Sequence, residues 1–290
     1  MKNITSFFLI ISAINIFYPQ ISQIDDSIIV WDEKRPLTWN DFKIKEKDLN
    51  KNGEAGKVSL NLKIIFKYDA INNLQYEIIP MVNPYKSSSV VKYESNYGLQ
   101  HEQLHFDIVK LFAIKIEKLY KKYNDIKNYQ RIFDSISTEL KKTQIKYDKE
   151  TAHSILAFNQ KLWEYNIHNE LQKYDYYKIK FNTNKCKNFH NGNYKYEYEG
   201  DTVYIKRKNN VQFVTYKQSK LKLKQKIKWL SNCVYLVYKT DYIFLPKYTN
   251  FFPNEQILVK VINITGNVYK VEYVSDMYNE LHAFNVYNYN

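Results

Sequence analysis

The chain has 290 residues, of which 44% are hydrophobic and 25% charged, so its composition is that of a folded protein rather than a disordered one. The net charge of +13 accompanies a general bias towards Tyr, Lys, Asn and Ile, so we do not take it as a sign of nucleic-acid binding. The charge is uneven, because residues 176–290 hold 18 Lys and Arg against 8 Asp and Glu, while residues 1–175 hold 25 against 22. This asymmetry predicts two units of different character.

The N-terminus predicts an export signal over residues 1–22. Lys2 supplies a short positive region, the apolar stretch from Phe7 to Phe17 is too short to span a bilayer, and polar residues follow from Gln20. The alternative interpretation is an N-terminal strand or helix buried in the fold. Since no other segment approaches transmembrane length, we expect a secreted or periplasmic protein with no transmembrane segment.

Residues 23–176 are predicted to form a first domain that contains both strands and helices. Two stretches with alternating hydrophobicity, Val58–Tyr68 and Leu74–Val82, predict a pair of neighbouring strands. From about residue 98 the hydrophobic period becomes helical, and it continues to about residue 124. A second helical stretch runs from about Tyr129 to Leu171, with a break or bend near Asp148.

Residues 177–290 are predicted to form a β-rich second domain. Short strands separated by turn signals indicate a meander or a small barrel. The predicted strands are Tyr194–Tyr198, Thr202–Arg207, Val211–Tyr216, Lys220–Trp229, Cys233–Tyr238, Ile257–Thr265 and Asn267–Val274. The two cysteines, Cys186 and Cys233, both belong to this domain, and they form either one disulfide or two separate buried thiols.

The pattern His-Glu-x-x-His occurs on the first predicted helix, at residues 101–105. Residues four apart lie on one side of a helix, so His101 and His105 can bind the same zinc ion. Glu102 lies beside them, close enough to hold a zinc-bound water and to take its proton as the water attacks a carbonyl. The pattern therefore predicts a catalytic zinc site with Glu102 as the general base.

A catalytic zinc ion needs a third protein ligand and an open position. Asp107 points away from both histidines on an ideal helix, so we expect it to make a supporting hydrogen bond to another segment. His153 is the favoured third ligand, because it lies on the inward-facing stripe of the second helical stretch. His168 lies off that stripe and is predicted to be an exposed surface residue. The remaining candidates are Glu139 and, as the main rival of His153, Glu150.

Three stretches between residues 31 and 171 resemble a bacterial family of predicted secreted zinc-dependent proteases, a domain of unknown function with an HEQ-x-HFD motif. They are residues 35–42 (RPLTWNDF), residues 101–107 (HEQLHFD), and the helical residues Tyr147, Asp148, Thr151, His153, Gln160 and Trp163. The resemblance implies His101, His105 and His153 as ligands of one zinc ion and Glu102 as the base. We therefore expect an α+β fold, in which a zincin-like unit of a short antiparallel sheet, the motif helix and a second long helix precedes the β-rich module.

The leading hypothesis is a secreted zinc-dependent hydrolase, a metallopeptidase whose substrate is a peptide or protein in the cell envelope or outside the cell. The alternative hypothesis is a non-catalytic cell-envelope binding protein with a structural metal or none. Substitution of Glu102 by Gln separates the two, because an enzyme would keep its metal and lose its activity. Trp39 and Asp41 are interpreted as structural residues, an aromatic anchor and a turn-forming Asp.

Lysines alternate with other residues from Lys220 to Lys228, which places all of them on one face of a predicted strand. One interpretation is a basic stripe for an anionic polymer such as an envelope glycan, lipid headgroups or nucleic acid. The other is a solvated sheet face whose lysines discourage edge pairing. We expect no nucleic-acid partner, since no nucleic-acid-binding motif accompanies the stripe.

Overall fold

The structure is a computed structural model, and it describes residues 27–48, 55–68, 74–123, 126–246 and 252–289. The predicted export signal over residues 1–22 lies outside these residues. The chain divides into two compact units. The first comprises the described parts of Met1–Ser154 together with Trp163–Tyr177, and the second comprises Ile155–Leu162 together with the described part of Lys178–Asn290.

The first unit contains, within its described residues, two sheets of three strands each. Its strands are β1 (Ile29–Val30), β2 (Ile44–Glu46), β3 (Gly56–Lys57), β4 (Leu60–Tyr68), β5 (Leu74–Val82) and β6 (Ser88–Val90). One sheet has the order β1-β5-β4 and the other the order β2-β6-β3, with β2 and β6 parallel. The predicted pairing of β4 with β5 is confirmed, and it runs antiparallel along both strands.

Helices complete the first unit. They are α1 (Asn96–Tyr123), α2 (Ile126–Thr151) and α3 (Ala157–Gln172), the last of which begins in the second unit. The apolar stripe predicted for α1 is buried, with Leu104, Ile108 and Phe112 each at most 2% exposed. Because α1 packs against β5 on one side and α2 on another, its apolar residues form the core of this unit.

The expectation of a zincin-like unit is wrong, although the broader α+β class agrees with the structure. The unit has two small sheets instead of one, and the predicted second long helix is two helices, α2 and α3. The break has a local cause, since Ala152, His153 and Ser154 all adopt positive φ angles, which an α-helix cannot accommodate. The helices therefore do not form a clear zincin-like arrangement.

The second unit is built around a closed antiparallel barrel. Its eight described strands are β7 (Gly192–Tyr198), β8 (Asp201–Lys208), β9 (Val211–Tyr216), β10 (Lys222–Ser231), β11 (Val234–Phe244), β12 (Ile257–Thr265), β13 (Val268–Ser275) and β14 (Leu281–Asn288). Each strand pairs with the next along the chain from β7 to β14, and β14 pairs with β7 to close the barrel. Of the two predicted alternatives for this module, the structure therefore has the barrel. Alternate side chains point inwards and form a second hydrophobic core.

Cys186 and Cys233 form a disulfide in the second unit. It joins a 3-10 helix over Thr183–Phe189 to the residue just before β11. Such a bond suggests an oxidising, exported environment, because disulfides persist outside the reducing cytoplasm. Among the described residues, no helix combines the length and apolar character needed to cross a bilayer.

Candidate metal centre

Helix α1 brings the two histidines of the motif together. His101 and His105 lie one turn apart and face the interior, where they are 4% and 5% exposed. Their Nε2 atoms are 3.2 Å apart. Two nitrogens that each bind zinc at about 2.0–2.1 Å in a tetrahedral site are separated by about 3.3 Å. The two imidazoles are therefore spaced as ligands of one ion would be.

Asp148 of α2 supplies a third group at the same point. Its Oδ1 atom lies 2.8 Å from His105 Nε2 and 3.3 Å from His101 Nε2. The three atoms thus form a small triangle of two nitrogens and one oxygen, a donor set that suits zinc. The sequence pattern does not predict Asp148 as a ligand, because only the packing of α2 on α1 brings it to the histidines. Its place within the Tyr147-Asp148 pair of the family resemblance was the one available signal.

His153 lies next to this triangle, just beyond the C-terminus of α2. Its Nδ1 atom is 3.8 Å from Asp148 Oδ1, and its side chain is 29% exposed. The ligand atoms of His101, Asp148 and His153 all lie within 4.8 Å of one another, so this cluster could hold a metal ion. The structure therefore brings all three histidines that the sequence analysis selected to one place and adds an aspartate.

Gln144 fixes the orientation of the His105 ring. Its side-chain oxygen is 2.5 Å from His105 Nδ1, and its side-chain nitrogen donates to the His105 carbonyl at 2.9 Å. Because an amide oxygen can only accept, the proton of a neutral His105 belongs on Nδ1, and Nε2 keeps its lone pair towards Asp148 and His101. This is the usual support of a metal-binding imidazole by a second hydrogen bond.

The carboxylate of Glu102 is held next to strand β3 of the β2-β6-β3 sheet. It is 6% exposed, and its Oε2 atom accepts a hydrogen bond from the Val58 backbone N–H at 3.0 Å. Gly56 of β3 permits this approach, since a Cβ atom there would lie 3.0 Å from the Trp39 ring and 3.3 Å from Glu102 Oε1. Burial acts to lower the pKa of His105, and the negative charge of Glu102 acts together with that of Asp148 to raise it.

The two histidines and Asp148 shift one another's pKa values. Burial lowers the pKa of His101 to about 4, against the opposing effect of Asp148. Burial also acts to lower the pKa of His105, but the negative charge and hydrogen bond of Asp148 outweigh it and raise that pKa to about 9. The same contacts hold the pKa of Asp148 below its usual range in spite of burial. A metal ion would therefore compete with the proton that the raised pKa of His105 retains between this ring and Asp148.

The other acidic candidates make contacts of their own. Glu139 accepts from the Lys115 ammonium at 2.8 Å, with about half of each side chain exposed. Glu150, the predicted rival of His153, accepts a hydrogen bond from Trp163 Nε1 at 2.9 Å. Neither belongs to the group of residues whose ligand atoms converge.

His168 is not the exposed surface residue that the sequence analysis predicted. Its ring stacks on Tyr177, with the centroids 4.0 Å apart, and its Nε2 atom is 3.0 Å from Asp107 Oδ2. The prediction failed because the face of a helix that tertiary contacts cover need not be its most apolar face. His168 therefore helps to hold the fold together.

Asp107 makes the supporting hydrogen bonds that were predicted for it. It is fully buried, and its Oδ1 atom accepts from Trp31 Nε1, Gln103 Nε2 and the Tyr177 hydroxyl, each at 2.8 Å. Gln103 also accepts from the Leu37 backbone N–H. Gln103 and Asp107, two polar residues of the motif, thus anchor different segments of the chain on α1.

Comparison with known proteins gives no relative on which to base a function: no family model, no curated protein and no solved structure matches the chain. The resemblance to secreted zinc-dependent proteases therefore stays a prediction from the residues named above.

Proposed function

We propose that this protein is a zinc-dependent hydrolase, a metallopeptidase that acts outside the cytoplasm. The observation that carries the proposal is the convergence of His101 Nε2, His105 Nε2 and Asp148 Oδ1, no two of which are more than 3.3 Å apart. The neighbouring carboxylate of Glu102 supplies a base beside them. The disulfide in the second unit supports an exported location, in line with the export signal predicted from the sequence.

We assign His101, His105 and Asp148 as the three zinc ligands. Two of their mutual distances, 3.2 Å and 3.3 Å, match the edge of a tetrahedral zinc site, and the third, from His105 Nε2 to Asp148 Oδ1, is 2.8 Å. The Nδ1 atom of His153 is farther away, 3.8 Å from Asp148 Oδ1. His153 then adjoins the open position of the centre, where a substrate would bind. The side chains of Asp148 and His153 are 22% and 29% exposed, against 5% for His101 and 6% for His105, so substrate approaches from the side of Asp148 and His153.

The chemistry divides between the metal and Glu102. Zinc bound at this site would polarise a peptide carbonyl and lower the pKa of a water molecule to about 7. Glu102 accepts the proton from the attacking water and later passes it to the leaving amine. The Val58 N–H orients this carboxylate by holding one of its oxygens.

The ligand assignment is tested by measuring the zinc content of the purified chain after zinc loading and dialysis. The wild type should hold about one zinc ion per chain, and Asp148→Asn should lose most of it, because an amide oxygen is a much weaker ligand. Glu150→Gln is the matched control two residues further along, and it should retain its zinc. A wild-type chain that binds no zinc would contradict the proposal. Zinc lost with His153→Ala and kept with Asp148→Asn would reassign the third ligand to His153.

The catalytic role is tested with Glu102→Gln. The amide oxygen of Gln can still accept the Val58 hydrogen bond, so the fold and the zinc content should be unchanged. Cleavage of a library of fluorogenic peptides should fall by about 10²–10⁴-fold, the usual contribution of a general base. A zinc-loaded wild type that cleaves no peptide would instead support the non-catalytic alternative. Equal activity of wild type and variant would contradict the role of Glu102.

A further inference from the structure

The outer surface of strands β8 to β11 carries a cluster of lysines, here called the basic face. Alternate residues of these strands point outwards, and the lysines among them are exposed except for the half-buried Lys224. The basic face consists of Lys206, Lys208, Lys222, Lys224, Lys226, Lys228 and Lys239. The segment 201–244, which forms these strands, contains ten Lys and Arg but only two Asp and no Glu.

The strand register arranges these lysines in rows across the barrel. One row consists of Lys208, Val211, Lys226 and Lys239 on four successive strands. The next row consists of Lys206, Phe213, Lys224 and Asp241. The neighbouring residues in the chain, such as Arg207, Gln212, Gln225 and Thr240, are buried inside the barrel, so the two rows belong to its outer surface.

Protection of a free sheet edge does not explain these lysines. Strand β10 pairs with β9 on one side and with β11 on the other, so it has no edge to protect. Lys226 lies directly opposite Lys239, and like charges in such a pair destabilise a sheet. Within the part of the chain that the structure describes, the one ion pair on this face joins Lys239 to Asp241 at 3.9 Å. The face thus keeps a positive charge that an anionic ligand would neutralise.

An aromatic ring lies among the lysines. Phe213 is 41% exposed, and its register partners on the two adjacent strands are Lys206 and Lys224. An exposed aromatic ring between cations can stack on a flat, partly apolar group of a ligand while the ammonium groups bind its charges. Sugar rings offer such a face through their axial C–H groups.

We propose that the basic face binds an acidic polysaccharide outside the cell. Lysines at every second position of a strand repeat at about 6.7 Å, and lysines two strands apart are separated by about 9.6 Å, which suits an extended chain with regular negative charges. The outside of a barrel is curved, so a planar bilayer would contact fewer of these rows than a flexible polymer. The disulfide, which suggests an oxidising environment, favours an envelope glycan over nucleic acid as the anion.

The test measures binding of the full-length chain to polygalacturonate, a linear carboxylated polysaccharide, with neutral dextran as the comparison. Binding to polygalacturonate should weaken as NaCl rises from about 0.05 to 0.3 M, because the contacts are ionic, and dextran should not bind. Lys224→Gln/Lys226→Gln should weaken binding about tenfold and reduce its dependence on salt. Phe213→Ala should weaken binding by about threefold or more without changing that dependence.

The matched control is Lys185→Gln/Lys270→Gln, which removes two exposed lysines outside the basic face and should leave affinity within about twofold of wild type. Far-UV circular dichroism verifies that each variant keeps the fold. Equal loss in both double variants, or no binding by the wild type, would overturn the proposal. Tighter binding of oligothymidylate, or of vesicles containing phosphatidylglycerol, would also overturn it and assign the face to nucleic acid or to lipid.

Discussion

Gln144 determines which nitrogen of His105 faces the metal centre. Its side chain accepts a hydrogen bond from Nδ1 and donates one to the His105 carbonyl, so it fixes both the position of the proton and the orientation of the ring. Loss of such a supporting partner typically lowers metal affinity by about 10–100-fold. We expect Gln144→Ala to do so, as measured by zinc competition with a chromophoric chelator at pH 7. Gln130→Ala, at an exposed position of the same helix, is the control, and equal affinities of the two variants would refute this role.

Asp41 stabilises the folded state by an amount that depends on pH. Burial acts to raise its pKa, but hydrogen bonds from Arg35 and Thr38 outweigh burial and lower it. A carboxyl whose pKa is lower in the folded state stabilises the fold above its unfolded pKa, about 3.9, and loses this effect as pH falls through the folded value. These contacts also confirm Asp41 as a turn-forming residue, since it accepts from Thr38 three positions earlier.

The corresponding variant is Asp41→Asn, compared with wild type by urea unfolding. At pH 7 it should be less stable by about 1–2 kcal/mol, because the Arg35 ion pair and a charged cap are lost. The difference should shrink as pH falls below about 3.9, the unfolded pKa, and through the lower folded pKa, because the wild-type carboxyl then becomes protonated. A difference that stays constant over this pH range would show that the charge of Asp41 has no part in it.

At the scale of single residues, the sequence could predict contacts within one helix but not those between helices. His101 and His105 were identified because four residues of helix place both on one side. Asp148 was not, because its contact with them depends on how α2 packs against α1, and no local pattern specifies that. The same reason explains the error over His168, whose partner Asp107 belongs to α1 and is distant in sequence.

At the scale of elements, the end of α2 was the hardest feature to predict. A break was expected near Asp148, whereas the helix continues to Thr151 and the turn follows it. Residues 147–172 contain no Gly or Pro, so the usual signal of a helix end is missing. Three consecutive non-glycine residues with positive φ, from Ala152 to Ser154, make the turn instead. Because such conformations cost energy, they indicate a position held by the surrounding fold, and here they carry His153 to the metal centre.

The strands of the second unit show the opposite case. Six of them were predicted to within two residues at each end, and β11 was predicted to end at Tyr238 instead of Phe244, since alternating side chains and turn residues are local signals. The last strand, β14 (Leu281–Asn288), was not predicted, because polar residues such as His282 and Asn285 interrupt its apolar pattern. The closure of the sheet depends on β14 pairing with β7. This pairing joins the first and last strands of the barrel, which are far apart in sequence, so a meander and a barrel have the same local pattern.

At the scale of the whole molecule, the two units differ in charge as well as in architecture. The excess of Lys and Arg in residues 176–290 becomes a feature of one barrel surface, whereas the candidate zinc ligands all belong to the first unit. The proposed hydrolase site and the proposed polysaccharide-binding face can therefore be tested independently. Loss of one with retention of the other would be direct support for this division of labour.

The disulfide makes a prediction about the second unit as a whole. Cys186 and Cys233 are 47 residues apart, and a cross-link that closes a loop of this length removes unfolded-state entropy worth up to about 4 kcal/mol. Cys186→Ala/Cys233→Ala, or wild type treated with dithiothreitol, should therefore unfold at a lower temperature, as followed by circular dichroism. Zinc content should stay at the wild-type level, since no candidate ligand belongs to the unit that carries the bond. An unchanged melting temperature after complete reduction would mean that the bond contributes little to stability, and it would weaken the argument that the fold is adapted to an oxidising compartment.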